Sequence, residues 1–273
     1  MKRTSNLKLP TSNLQPPTSN LTPHTLYIYV VLTLLLLLHG VRATAQDNVV
    51  QNRPYTDLRP LHFGIVAGAN MQDTKFNNVG LQTITYQDGT QAQSLVTCDQ
   101  SSWDMGFNVG VLMEARINQY FAFRLAPQLY FGNRHLTFYK FNDTNTAEPS
   151  ATEQQDLRTV YVGADCDIIY AAKRWGNHRP YVMAGLAPMI NIAGSSSDYV
   201  QLKKGDLFLE VGIGCDFYLP FFKLRPEIKF MYGLLNALNT GHKNDLRDET
   251  KLPFAAAADR ARSKMFVLSF YFE

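Results

Sequence analysis

The sequence has few cysteines and no clustered histidines. Its 273 residues include 3 cysteines, Cys98, Cys166 and Cys215, and none of them forms a C-x-x-C pair. Free cysteines usually behave as small buried apolar residues, so we interpret these as unpaired, with a disulfide or a reactive thiol as the alternatives. No metal-ligand spacing is present, and we expect neither a metal site nor a cofactor.

Charge and catalytic motifs are also sparse. Charged residues make up 18% of the chain, and the formal net charge is +3. No basic stripe interleaved with aromatic residues occurs, which excludes nucleic acid as an expected partner. The sequence also lacks a G-x-S-x-G elbow, an H-E-x-x-H pair, a P-loop and a G-x-G-x-x-G turn in a βαβ setting. These absences predict a protein that is not an enzyme.

One long apolar run is present, close to the N-terminus. It extends from Leu26 to Leu38, shorter than the ~20 residues of a membrane-spanning helix but typical of the core of a secretory signal. Basic residues precede it, and Ala43-Thr44-Ala45 follows as a small-x-small cleavage site before Gln46. The run therefore predicts export by a cleaved signal peptide.

The chain divides into three parts on this basis. Residues 1–45 form the predicted signal peptide, whose n-region is unusual because Thr-Ser-Asn-Leu recurs in it with a period of seven. Residues 46–59 form a periplasmic N-terminal lead. Residues 60–273 form the single folded domain.

The folded domain shows alternation of apolar and polar residues with period two. The alternating segments are long enough to cross a membrane as tilted strands. They cover residues 60–71, 104–116, 119–135, 156–171, 179–193, 205–219, 221–234 and 263–272. Their number is even, and we predict an all-β fold: an eight-stranded antiparallel transmembrane β-barrel of the outer membrane.

The connections between these segments alternate between short and long. Asn118-Gln119, the turn around Gly176 and the turn at Pro220 are short. The long, polar connections cover residues 72–103, 136–155, 194–204 and 235–262. Outer-membrane barrels have short periplasmic turns and long external loops. The pattern therefore places both termini in the periplasm and the protein in the cell outer membrane, with membrane lipid around it.

The seventh predicted strand has one apolar and one charged face. Phe222, Leu224, Pro226, Ile228, Phe230 and Tyr232 point to one side, and Lys223, Arg225, Glu227 and Lys229 point to the other. The sixth and eighth predicted strands repeat this alternation. A continuous apolar row predicts a surface that faces lipid.

The inward positions of all strands carry polar and charged residues of both signs. They are His62, Asn70, Asn108, Glu114, Arg116, Arg124, Gln128, Asp165, Asp167, Glu210, Asp216, Lys223, Arg225, Glu227 and Lys229. An eight-stranded barrel has room only for its own side chains. Because an unpaired buried charge is costly, we predict a lumen filled by ion pairs, with a conducting path as the alternative.

One histidine is a candidate catalytic residue. His135 has outward parity near the external end of the third predicted strand, where some small barrels that modify lipid A place a His and a Ser. No serine lies near it on the strand, and we expect no acid on the same face. A surface histidine near lipid headgroups is therefore the favoured interpretation.

The C-terminal part of the chain resembles a known family. It reads Leu224-Arg225-Pro226-Glu227-Ile228-Lys229-Phe230, then Tyr232-Gly233-Leu234-Leu235-Asn236, and after a loop Asp259-Arg260-Ala261-Arg262-Ser263-Lys264 leads into a strand that ends Phe272-Glu273. These residues resemble the PorT family of Bacteroidota, which is linked to the type IX (Por) secretion system.

The resemblance implies a role in exporting proteins that carry a C-terminal sorting domain. Members of the family are often labelled porins, but the narrow predicted lumen speaks against the passage of folded cargo. We therefore expect an accessory role in assembly or docking, with other secretion-system proteins as partners. The alternative is a generic small barrel that stabilises the envelope or binds surface ligands.

Overall fold

The computed structural model describes residues 50–86, 88–141, 149–193, 199–241 and 248–273. The predicted signal peptide, its cleavage site and the first residues of the lead lie outside the described residues. No helix in the described part of the chain is long and apolar enough to cross a membrane. The described helical elements are α1 (Leu252–Ala255) and the 3-10 turns Thr56–Leu58 and Glu249–Lys251.

Ten strands occur in the described residues. They are β1 (Leu61–Asn78), β2 (Leu81–Thr85), β3 (Gln91–Asp99), β4 (Asp104–Arg116), β5 (Phe121–Phe141), β6 (Ala151–Ala171), β7 (His178–Asn191), β8 (Gly205–Tyr218), β9 (Lys223–Gly233) and β10 (Ala258–Phe272).

Eight of these described strands close into a ring. β1 pairs antiparallel with β4 on one side and with β10 on the other. The strands β4 to β10 pair in sequence order, including β5 with β6. Closure leaves no unpaired edge within the ring, which is a requirement for a sheet that crosses lipid. The predicted eight-stranded antiparallel barrel is confirmed.

Four strands, β1, β5, β6 and β10, extend further than predicted at the end with the long connections. β1 continues to Asn78, β5 continues to Phe141, and β10 begins at Ala258. The prediction that residues 72–103 form a polar connection was wrong, because they contain the end of β1 and the hairpin β2–β3. This hairpin joins the ring through the pairing of Leu95 with Phe141. Beyond the lipid the outward residues become polar, so the alternation that marked the strands disappears.

The outward face of the ring is apolar through its middle. On β10, Phe266, Leu268 and Phe270 are exposed, and the residues between them are buried. On β1, Phe63 remains 66% exposed. A continuous exposed apolar surface of this kind marks contact with lipid or a partner. The predicted assignment of outward and inward residues on the sixth, seventh and eighth predicted strands is confirmed.

Apolar side chains fill the end of the barrel that carries the long connections. We call this group the outer cluster. It consists of Phe76, Val96, Cys98, Leu136, Phe138, Leu157, Val200, Leu202, Ala237, Leu238, Ala257, Ala258 and Ala261, with Tyr199 and Phe254 packed against it. The extended strands, the hairpin and α1 therefore bury a core like that of a soluble protein above the lipid.

Candidate functional site: the polar lumen and its two ends

An arginine between two carboxylates holds the middle of the lumen. Arg124 of β5 donates from Nη2 to Asp167 Oδ2 at 2.8 Å and from Nη1 to Glu227 Oε2 at 2.7 Å. All three side chains are fully buried. The hydroxyls of Tyr181 and Tyr271 donate to the same Glu227 carboxylate, at 2.8 and 3.2 Å. β5 and β9 lie on opposite sides of the ring, so these bonds cross the lumen.

A second buried cluster surrounds a lysine. The ammonium of Lys229 bonds to Asp165 and, at 2.9 Å, to Glu210 Oε2. Gln128 Nε2 and the hydroxyl of Tyr130 also donate to Asp165 Oδ2, at 2.6 and 2.7 Å. The Lys229, Asp165 and Glu210 side chains have no solvent exposure. This cluster joins β5, β6, β8 and β9.

A third cluster lies toward the end with the short turns. Arg225 forms ion pairs with Glu114 and Asp216, which are also buried. Its Nη1 lies 3.4 Å from Oε1 of the last residue, Glu273, whose carboxylate also pairs with Lys223. The cavity beside this cluster has a volume of about 20 Å³, which is room for about one water molecule.

A fourth polar cluster lies below the outer cluster. Arg134 is fully buried and donates to Gln72 Oε1 at 3.1 Å, Thr74 Oγ1 at 2.8 Å and Ser263 Oγ at 3.0 Å. Its guanidinium lies 5.7 Å from the centroid of the Tyr161 ring. The sequence reasoning missed Arg134, although it has the parity of Arg124. Its partners Gln72 and Thr74 fall in the segment that was predicted to be a loop.

The predicted inward residues are nearly all inside. Each of them is buried except His62 and Arg116, which lie half-buried at the short-turn end. Charges of both signs form the predicted ion pairs, and a filled lumen is confirmed for the described residues. Polar side chains cross the ring at successive levels, and the outer cluster closes the far end.

The described part of the lead, residues 50–59, folds over the short-turn end of the lumen. Arg174 donates from Nη1 to the backbone carbonyl of Arg53 at 3.3 Å, and its guanidinium lies 3.6 Å above the Tyr218 ring. Asp57 accepts a hydrogen bond from the Tyr218 hydroxyl and lies 3.6 Å from Arg179 Nη1. These contacts fasten the lead across the mouth of the barrel.

An open basic pocket lies between the lead and the neighbouring turns. Its volume is about 490 Å³. The basic residues Arg116, Lys173, Arg174 and Arg179 line it, against the single carboxylate of Asp57 among its described lining residues. Arg174 and Arg179 also donate to backbone carbonyls, so they are held in place. The pocket thus presents fixed positive charge to the solvent at this end.

His135 has two acidic neighbours on the outward face of the barrel. Its Nδ1 lies 2.7 Å from Asp104 Oδ1, and its Nε2 lies 3.5 Å from Asp156 Oδ1. The expectation that no acid would approach it was therefore wrong. Asp156 is directly opposite His135 in the β5–β6 register, and Asp104, at the first position of β4, also bonds to the His135 backbone N–H. Both ring nitrogens of His135 therefore face carboxylates.

Cysteines and metal ligands do not form a further site in the described residues. Cys98 is buried in the outer cluster, and Cys166 and Cys215 are half-buried on the outward faces of β6 and β8. All three are unpaired, as predicted. Within the described ranges, no group of three or more His, Cys, Asp or Glu residues is arranged to hold a metal ion.

A closed ring with an apolar belt and an ion-paired interior defines a small β-barrel of the outer membrane. Comparison with protein families agrees, since the family described as "Outer membrane protein beta-barrel domain" matches residues 45–239. The chain belongs to this family, and it is an outer-membrane protein. Among curated proteins, no significant match was found.

Solved structures of outer-membrane proteins are similar to the chain. They include OprG from Pseudomonas aeruginosa, with 12% identity and a TM-score of 0.42 over 77% of this chain and 93% of that one. Neisserial surface protein A has 15% identity and a TM-score of 0.36 over 78% and 98%. Ail of Yersinia pestis, solved with the heparin analogue sucrose octasulfate, has 12% identity and a TM-score of 0.26 over 77% and 96%.

Proposed function

We propose that this barrel is an accessory component of the type IX protein secretion system, needed for export of proteins with a C-terminal sorting domain. In this proposal it docks or assembles other components and does not conduct cargo. The observation that carries the accessory role is the filled lumen, in which Arg124, Lys229 and Arg225 are paired with buried carboxylates. A polypeptide has no space to pass between these side chains.

The link to secretion comes from the PorT-like C-terminal run. Several of its residues close the barrel in this chain. Asn236 Oδ1 accepts from the backbone N–H of Ala261 at 3.0 Å, which joins the exit of β9 to the start of β10. Glu273 pairs with Lys223 and accepts at its backbone oxygen from Arg53 Nη1 at 2.9 Å. The run thus supports a barrel design shared with the PorT family. Docking of a partner requires a different surface of the barrel.

We assign the docking surface to the basic pocket at the periplasmic end. Positive charge held by Arg116, Lys173, Arg174 and Arg179 suits an acidic segment of a periplasmic partner, because arginines at a fixed position bind carboxylates with defined geometry. Tyr55 and Leu58 are exposed in the same lining and offer apolar contact. No catalytic role for His135 is part of the proposal.

The alternative is a generic barrel that stabilises the envelope or binds ligands at the cell surface. The ordered hairpin β2–β3 and the outer cluster would then be the relevant features, since they build a rigid external end. The family match fits this alternative equally well. The secretion proposal depends on the periplasmic end of the barrel, whereas the alternative depends on the external end.

Deletion of the gene, with sorting-domain cargo measured in each cell fraction, tests the secretion proposal. We expect cargo to accumulate in the periplasm and to return to the surface when the gene is restored. Normal surface cargo in the deletion strain would contradict a role in secretion and leave the generic alternative.

A charge-reversal pair then tests the pocket. In the complemented strain, the double variant Arg116→Glu and Lys173→Glu should reduce surface cargo while the folded barrel stays at its normal amount. Lys203→Glu is the matched control, because Lys203 is exposed at the opposite, external end. Equal export by both variants would contradict docking at the pocket while leaving the secretion role intact.

A further inference from the structure

A row of basic residues follows the apolar belt on β10. Phe266 and the outward residues after it are apolar, whereas Arg260, Arg262 and Lys264 precede it with the same parity. Arg260 and Arg262 are exposed, and Lys264 is half-buried. The outward surface of this strand therefore changes from apolar to cationic between Phe266 and Lys264.

The neighbouring strand β1 places a further cation in this row. Lys75 is directly opposite Arg262 in the β1–β10 register. Side chains at opposed positions of antiparallel strands are on the same face and close together, and like charges there are destabilising. Lys264 is opposite Asp73 and lies 3.6 Å from its carboxylate. Within the described ranges, neither Lys75 nor Arg262 has a carboxylate at ion-pair distance.

Aromatic side chains mark the depth of this pair relative to the bilayer. Trp103 and Phe230 both pack against Phe266, with ring centroids 5.2 and 4.8 Å away. The guanidinium of Arg262 lies 5.7 Å from the centroid of the Tyr232 ring. Aromatic girdles lie at the interface between hydrocarbon and headgroups. The Lys75–Arg262 pair lies just beyond this layer, at the end with the long external connections.

We infer that Lys75 and Arg262 bind a phosphate of an outer-leaflet glycolipid of the lipid A type. An anion between the two cations removes their repulsion, and a guanidinium donates two parallel hydrogen bonds to phosphate oxygens. The exposed Arg260 adds positive charge beside them. The pair lies at the edge of the apolar belt, so a phosphate there can belong to a lipid whose acyl chains contact Phe266 and Leu268. This favours a lipid headgroup over free phosphate as the source.

The test uses the full-length mature barrel, refolded in a detergent without lipid. Thermal unfolding is followed by the shift in gel mobility while lipid A, enzymatically dephosphorylated lipid A or inorganic phosphate is added. We expect lipid A to stabilise the barrel. The double variant Lys75→Gln and Arg262→Gln should bind it at least about tenfold more weakly, because both charged hydrogen-bonding contacts to the phosphate are lost. Arg158→Gln is the matched control, because Arg158 is an exposed outward arginine on β6.

Stability without lipid gives a second, independent readout. Because Lys75 and Arg262 repel each other when no anion is bound, Lys75→Gln should unfold at a higher temperature than the unaltered barrel in lipid-free detergent and lose this advantage when lipid A is added. Equal binding of dephosphorylated lipid A would overturn the proposal of a phosphate site. Equal stabilisation by millimolar inorganic phosphate would overturn the lipid source, and unchanged affinity of the double variant would overturn the assignment of these residues.

Discussion

Arg124 and Glu227 meet across the lumen from opposite strands of the ring, with Nη1 and Oε2 2.7 Å apart and no solvent exposure at either side chain. Asp167 completes the arrangement on the other side of the guanidinium. The contact replaces water with protein groups at the centre of the barrel. A buried charge that loses its partner is far more costly than one at a surface.

Replacement of Glu227 by Gln should strongly destabilise the folded barrel. The variant keeps the shape of the side chain but removes the charge that faces Arg124, and it leaves fewer acceptors for the Tyr181 and Tyr271 hydroxyls. We expect a loss of about 3 kcal/mol in the free energy of unfolding, measured by urea titration of the refolded barrel in detergent.

The matched control is a charge removal at the outer surface. Lys264→Gln breaks the partly exposed pair with Asp73, and such pairs contribute less than about 1 kcal/mol. Equal loss of stability in Glu227→Gln and Lys264→Gln would show that the central ion pairs do not hold the barrel together.

We predict that position 110 requires glycine because the lumen is closely packed there. A Cβ there would collide with the carbonyl oxygen of Pro127 and approach Gln128 Cγ to 2.7 Å. Gly110→Ala should therefore cost about 1–3 kcal/mol through overpacking and backbone shifts. Gly205→Ala is the control, because a Cβ at Gly205 meets no atom within 4 Å. Similar urea midpoints for the two variants would contradict the tight lumen.

The thiol of Cys98 should resist alkylation as long as the external end is folded. Burial in the outer cluster raises the pKa of this thiol, and the thiolate is the reactive form. With Cys166 and Cys215 replaced by Ala, maleimide at pH 8 should label the barrel only after denaturation in urea.

A cysteine on the exposed side of the same strand provides the comparison. Gln93 is exposed on β3, so Gln93→Cys combined with Cys98→Ala should react rapidly in intact cells. Rapid labelling of native Cys98 would contradict an ordered core above the lipid and indicate that the hairpin β2–β3 is open.

The barrel and its two faces could be predicted from the sequence because a strand that crosses lipid alternates apolar and polar residues with a period of two. Along β9, Ile228 and Phe230 face outward while Glu227 and Lys229 face inward, and the alternation itself reveals both surfaces. The number of strands in the ring and the ion-paired interior follow from that period and from the lengths of the connections.

The external end could not be predicted in this way. Outside the lipid the outward residues of β1 become Asp73, Lys75 and Asn77, so the strand loses the contrast that made it recognisable. Contacts between strands also depend on the register in which the strands pair, and this register cannot be read from a single sequence. Register brings Asp156 to His135 and places Lys75 opposite Arg262. The contact of Gln72 with Arg134 joins two strands that do not pair with each other.

Conductance of the purified barrel in a planar lipid bilayer tests the closed lumen most directly. Because buried side chains bridge the ring at successive levels and the outer cluster covers one end, we expect the current to stay at the baseline of the bare membrane across the applied voltages. A stable open channel, above all one that admits polymers, would contradict the filled lumen and with it the docking role proposed for this protein.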